Sequence, residues 1–187
     1  MNTFLLATGT VALAEIGDKT QLLALLLAAR YRRPWPIVAG ILLATLLNHA
    51  LAGWLGTLAA RWLQPPLLDW IVAVSFLLVA VWTLKPDALD DDARLPAHGA
   101  FLAATIAFFL AEIGDKTQVA TVLLGAQVQP LWQVVIGTTL GMLVANVPVV
   151  ALGARFAARL PLKAARTGAA LLFLLLALWA GGRALNG

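Results

Sequence analysis

Two carboxylates and a lysine within five residues, followed at once by a hydroxyl and an amide, are an unusual donor set for an apolar stretch of chain. The octapeptide Ala-Glu-Ile-Gly-Asp-Lys-Thr-Gln supplies that set twice, at Ala14–Gln21 and at Ala111–Gln118. Glu15, Asp18, Glu112 and Asp115 offer anionic oxygens, and Thr20, Gln21, Thr117 and Gln118 add neutral ones in the same turns. A ligand set made only of oxygen suits hard divalent cations, Ca²⁺, Mg²⁺ or Mn²⁺. The chain has no cysteine, and methionine occurs only at Met1 and Met142, so disulfides, thiolate zinc sites and soft Cu(I) sites are excluded. Charges inside a hydrocarbon core cost at least about 2.5 kcal/mol each and mark substrate or ion paths.

Lys19 and Lys116 have two roles open to them. They can hold an empty site neutral, or they can be displaced or titrate as a cation enters. Clustered carboxylates in a low dielectric bind protons in competition with a metal, which is a physical basis for cation/proton exchange. Spacing of three and four residues would put Glu, Asp and Lys of each copy on one helix face. A Glu–Lys pair at that spacing can also neutralise itself and serve packing alone. Two copies, each with an extra acid, argue against that. An intramembrane aspartyl protease is disfavoured because a glutamate precedes each Ile-Gly-Asp and every element is duplicated.

The elements that carry these residues read as membrane helices. Of 187 residues 61% are hydrophobic and 12% charged, against about 45–50% and about 25% in soluble domains. Six apolar spans are expected, Phe4–Ala28, Pro36–Ala59, Leu68–Leu84, Phe101–Ala126, Leu131–Ala154 and Thr167–Arg183, each long enough to cross a bilayer. The basic residues flank these spans, so the net charge of +4 does not point to nucleic acid. The N-terminus lacks a basic region and carries acids in its apolar stretch, so it reads as a first span rather than a signal peptide. Glu15 and Glu112 each lie eleven residues into their spans, roughly 16 Å into a core of about 30 Å. Both motifs are thus placed near the midplane. Gly17 and Gly114 would permit close helix approach or a local break exposing backbone carbonyls.

A shift of 97 residues aligns the two halves without a gap: Phe4 with Phe101, Trp35 with Trp132, Gly40 with Gly137, Gly56 with Gly153, Phe76 with Phe173 and Trp82 with Trp179. The expected fold is therefore an all-α integral membrane protein with six transmembrane helices in 3+3 inverted-topology repeats. Residues 1–84 form the first repeat, 85–99 an acidic linker and 100–187 the second. An odd number of spans per repeat forces opposite orientations, with a site at the interface between repeats. With both termini outside, nine basic residues lie inside (Arg30, Arg32, Arg33, Lys85, Arg94, Arg155, Arg159, Lys163 and Arg166) and two outside, Arg61 and Arg183. That bias places the acidic loop, with Asp87, Asp90, Asp91 and Asp92, in the cytoplasm.

Asn48, His49 and Asn146 are polar residues in the second and fifth spans. Asn48 and Asn146 are expected in interhelical hydrogen bonds or beside the ligands, and His49, which matches Asn146, is a weak candidate for proton handling. Pro148 predicts a kink with no counterpart in the first half.

Glu-x-Gly-Asp-[Lys/Arg]-[Thr/Ser], once per three-helix half of a small six-span protein, resembles the GDT family of cation transporters, relatives of the lysine-exporter superfamily. Glu15-Ile16-Gly17-Asp18-Lys19-Thr20 and Glu112-Ile113-Gly114-Asp115-Lys116-Thr117 both match in full. The resemblance implies transport of Mn²⁺ or Ca²⁺ against protons, with Glu15, Asp18, Glu112 and Asp115 binding the ion, and a bacterial-type protein of the inner, plasma membrane. The function expected is export of Mn²⁺ in exchange for protons, without enzymatic activity and without a resident cofactor. A Ca²⁺/H⁺ antiporter, an amino-acid exporter and a passive cation channel are the alternatives. The partners expected are the divalent cation, protons and the lipid bilayer, with a homodimer left open and no nucleic acid.

Overall fold

The computed structural model describes residues 2–86 and 99–186. The acidic run and Arg94 therefore lie outside the described residues. Among these residues the chain is all helical: α1 (Thr3–Glu15), α2 (Lys19–Tyr31), α3 (Pro34–Trp62), α4 (Pro65–Thr83), α5 (Ala100–Glu112), α6 (Lys116–Gln127), α7 (Leu131–Leu152), α8 (Ala154–Ala157) and α9 (Leu162–Asn186). Four of them, α3, α4, α7 and α9, are long and apolar enough to cross a membrane. They correspond to the second, third, fifth and sixth expected spans.

The first and fourth spans differ from expectation. Each is two helices, broken inside the octapeptide. α1 stops at Glu15 and α2 starts at Lys19; α5 stops at Glu112 and α6 starts at Lys116. Gly17 and Gly114 cause this, with φ of 85° and 74°, a region that glycine enters without steric cost. The expectation that Glu, Asp and Lys share one helix face is therefore corrected. The glutamate ends one helix, while the aspartate is the N-cap of the next and the lysine its first residue.

Other boundaries follow from local chemistry. Asn2 caps α1 by accepting from the Phe4 amide at 3.0 Å. Pro34 and Pro65 open α3 and α4, where a missing N–H costs nothing. α7 continues through Pro148 and ends at Gly153, which has φ of 71°, whereas α3 runs on through the matching Gly56. The starts of α1 and α5, α2 and α6, α3 and α7, and α4 and α9 are each 97 residues apart.

Packing follows the same correspondence. α1 lies along α7 as α5 lies along α3, and α4 pairs with α9 through the stacked rings of Phe76 and Phe173, 6.1 Å apart. One apolar core joins α1, α4, α6 and α9, and a second joins α2 and α5 to the start of α3 and the end of α7. The correspondence is imperfect in one respect. α6 packs closely on α3, where a Cβ on Gly56 would fall 2.0 Å from the Val122 carbonyl oxygen and one on Gly125 would fall 2.6 Å from that of Gly53. α2 meets α7 over a shorter seam, with Ala28 and Val150 in the places of Gly125 and Gly53. The α4–α9 pair packs on α6 and α1 and makes next to no contact with α2 or α5.

Candidate metal centre

The two helix breaks meet at the centre of the molecule. Glu15, Asp18, Glu112 and Asp115 are all buried there. One carboxylate oxygen from each of Glu15, Glu112 and Asp115 lies within 4.8 Å of the others. Glu15 Oε1, Glu112 Oε1 and Asp115 Oδ2 are buried without a hydrogen-bond partner among the described residues. A buried carboxylate oxygen left unpaired costs several kcal/mol, so three buried carboxylates brought together, each with such an oxygen, fit a bound cation. Each break brings a helix C-terminus and a helix N-terminus to the site: α1 and α5 end there with partial negative charge, which faces a cation favourably, and α2 and α6 start there with partial positive charge, which the capping aspartates face.

The remaining motif residues hold this arrangement. Thr20 Oγ1 donates to Glu15 Oε2 at 2.5 Å, and Thr117 Oγ1 donates to Glu112 Oε2 at 2.8 Å. Each hydroxyl therefore takes one glutamate oxygen, and the other has no hydrogen-bond partner among the described residues. The Gly17 amide donates to Gln21 Oε1 at 2.9 Å, and the Gly114 amide donates to Gln118 Oε1 at 2.7 Å. The glutamine oxygens thus clamp the breaks. Gln21 Nε2 also donates to the Ala145 carbonyl at 2.9 Å, and Gln118 Nε2 to Asn48 Oδ1 at 3.4 Å. Since Ala145 matches Asn48, both breaks are tied to the same point on the long helix beside them.

The lysines cross between motifs. Lys116 Nζ sits 2.5 Å from Asp18 Oδ2, and Lys19 Nζ sits 3.5 Å from Asp115 Oδ1. Each lysine pairs with the aspartate of the other copy, across the break. The two pairs are unequal. The Lys116 side chain is 3% exposed and that of Lys19 28%. Asp18 also accepts from the Lys19 amide as the cap of α2, whereas Asp115 makes no such bond to α6. Asp115 is consequently the aspartate with a spare oxygen.

Asn146 Nδ2 lies 3.1 Å from the Met142 carbonyl, 3.0 Å from Met142 Sδ and 3.5 Å from Glu15 Oε2, which places it beside the carboxylate cluster. Asn48 Nδ2 donates to the Phe109 carbonyl at 3.0 Å. His49 is fully buried, and neither ring nitrogen has a partner among the described residues; it is not one of the three converging groups.

Sequence reasoning missed a second polar cluster. Gln127 Nε2 donates to Asp69 Oδ1 at 2.6 Å, Arg183 Nη1 donates to Gln127 Oε1 at 2.8 Å, and Arg183 Nε lies 3.5 Å from Asp69 Oδ2. Arg183 is thus in the last turn of α9, bound to a buried acid. An aspartate within the expected third span was the signal that could have revealed it.

Comparison with known proteins agrees with this chemistry. A 58% identical protein of Vibrio cholerae, titled "Putative manganese exporter", aligns over 95% of this chain and 90% of its own length. A "GDT1-like protein" of Synechocystis is 28% identical over 89% of this chain and 90% of its own. No solved structure matches. The family model for the divalent cation/proton antiporter GDT1 matches residues 3–91 and 100–186. With nearly the whole chain matched and both acid motifs at its centre, this protein belongs to the GDT1 family of divalent cation/proton antiporters, multi-pass membrane transporters.

Proposed function

We propose that this chain exports Mn²⁺ from the cytoplasm in exchange for protons, by alternating access around one central site. The observation that carries the proposal is the convergence of Glu15, Glu112 and Asp115 within 4.8 Å, drawn from both motifs. Glu15, Asp18, Glu112 and Asp115 are the ion-binding acids. Thr20, Thr117, Gln21, Gln118, Asn48 and Asn146 orient them, and His49 lies outside the ligand set.

The architecture proposed is six spans in 3+3 inverted repeats, residues 1–84 and 100–187 joined by 85–99, in the plasma membrane with both termini outside. Each broken pair, α1–α2 and α5–α6, makes one span. The equal 97-residue offset of the four paired helix starts supports this.

Charge sets the exchange. Four acids and two lysines leave the site at −4 + 2 = −2 when all are ionised. One divalent cation or two protons restores neutrality, and neutrality is what a low dielectric demands of a group that must move across it. Two protons entering per Mn²⁺ leaving is the cycle that never strands net charge at the midplane.

Protein reconstituted in liposomes should move Mn²⁺ when a pH gradient is imposed, and Glu15→Gln or Glu112→Gln should abolish the flux. Undiminished flux in both variants would overturn the site assignment. Flux of Ca²⁺ in place of Mn²⁺ would overturn the cargo.

A further inference from the structure

The Asp69–Gln127–Arg183 cluster sits where three helices meet, at the start of α4 and the ends of α6 and α9. Thr3 Oγ1 donates to the Gln129 carbonyl at 3.3 Å nearby, so this is the end of the molecule that holds the start of α1 and the end of α9. Asp69 is buried, and both of its oxygens are met, one by the Gln127 amide and one by the Arg183 guanidinium. The guanidinium also lies 5.2 Å from the Trp179 ring centroid, which fixes its approach. Gln127 uses both ends of its amide as the bridge.

The opposite end cannot build the same cluster. At the 97-residue offset Asp69 becomes Arg166, Gln127 becomes Arg30 and Arg183 becomes Pro86. Two cations and a proline replace an acid, an amide and a cation. The packing follows this difference: the α4–α9 pair rests on α6 and α1 and stands away from α2 and α5.

We propose that Asp69, Gln127 and Arg183 are positioning residues that fasten the α4–α9 pair to α6 and hold the termini-bearing end of the ion path shut. The absence of a counterpart makes the two access states unequal in energy, and the state closed at this end is favoured at rest. This rests on the alternating-access reading, but it is tested by the shape of the protein and not by flux.

The chain has no cysteine, so one introduced thiol is an unambiguous reporter. Leu123 lies on α6 in the core shared with α4 and α9 and is 7% exposed. In Leu123→Cys a membrane-impermeant thiol reagent added on the termini-bearing face should react slowly. Asp69→Asn or Arg183→Gln in that background should speed labelling roughly five- to tenfold, as expected for loss of a partly buried charge pair that biases a two-state equilibrium. The exchange Asp69→Arg with Arg183→Asp should slow it again, because the Gln127 amide can serve either arrangement after a flip. Leu27→Cys, in the other core, should label no faster in these backgrounds when reagent is added from the opposite face. Unchanged labelling at Leu123→Cys, or an equal rise at Leu27→Cys, overturns the proposal. Should either single variant fail to fold, Gln127→Asn, which shortens the bridge, takes its place under the same two outcomes. A failure of transport with this labelling pattern intact would count against the exporter reading alone.

Discussion

Lys116 of the second motif and Asp18 of the first form an ion pair of 2.5 Å between side chains that are 3% and 0% exposed. The pair crosses from one helix break to the other, so it joins the two halves of the chain at their most polar point. Its partner pair, Lys19 with Asp115, is longer and wetter.

Removing one member of the shorter pair leaves a buried charge. Lys116→Met should lower stability by about 3–5 kcal/mol, whereas Lys19→Met, at a longer and more accessible pair, should cost about 1 kcal/mol or less. The double variant Lys116→Met with Asp18→Asn should recover much of the loss. Thermal unfolding in detergent, run as a double-mutant cycle, gives the coupling directly, and equal losses for both lysines would contradict the inequality.

The glycines at the breaks act through backbone conformation. At Gly114 an added Cβ would meet nothing within 4 Å, so Gly114→Ala should cost only the left-handed penalty, about 1–2 kcal/mol. Gly114→Asn should be milder, since asparagine enters that region more readily. At Gly17 the same Cβ would stand 3.0 Å from Leu162 Cδ2, so Gly17→Ala should be the worse of the two alanine variants. Melting temperatures of the three proteins order these effects.

The α3–α6 seam predicts a sharper contrast. A Cβ on Gly56 would overlap the Val122 carbonyl, so Gly56→Ala must push the helices apart and should cost more than about 2 kcal/mol, beyond ordinary overpacking at its mild end. Gly168, also helical, has open space at the same position, and Gly168→Ala should change stability by less than about 1 kcal/mol. Denaturation curves of the two variants side by side make the comparison.

Metal uptake should release protons. The carboxylates must be ionised to bind Mn²⁺, so apparent affinity should fall as pH is lowered, and binding should liberate up to two protons per ion in a weakly buffered detergent solution. A pH electrode or indicator dye reads the release. Binding with no proton release at any pH would break the proposed exchange.

Much of the centre was legible because charge in an apolar run has few explanations and a duplicated octapeptide has fewer. Residue type and duplication name all four acids, Glu15, Asp18, Glu112 and Asp115, without ranking them, and only the fold shows which three come within 4.8 Å of one another. The helix breaks were less legible. Periodicity treats Phe4–Ala28 as one helix, and only the backbone angle at Gly17 decides between a bend and a stop. The lysine pairings with Asp18 and Asp115 were hidden for the same reason, since a four-residue spacing names a glutamate of the same copy and says nothing of an aspartate in the other. Asp69 escaped because its partners, Gln127 and Arg183, lie 58 and 114 residues away and match nothing at the 97-residue offset. A three-body contact between unrelated positions leaves no period to find.

A site written twice from the same eight residues has one further consequence. The two octapeptides offer the same residue types to a centred ion, and what differs is how the fold holds them: Asp18 is capped and paired with a buried lysine, while Asp115 keeps an oxygen without a hydrogen-bond partner among the described residues. Residue type alone therefore gives the site no arrow. The sign of net transport is left to the two gradients, and any rectification must come from the scaffold around the octapeptides, where the halves have drifted apart.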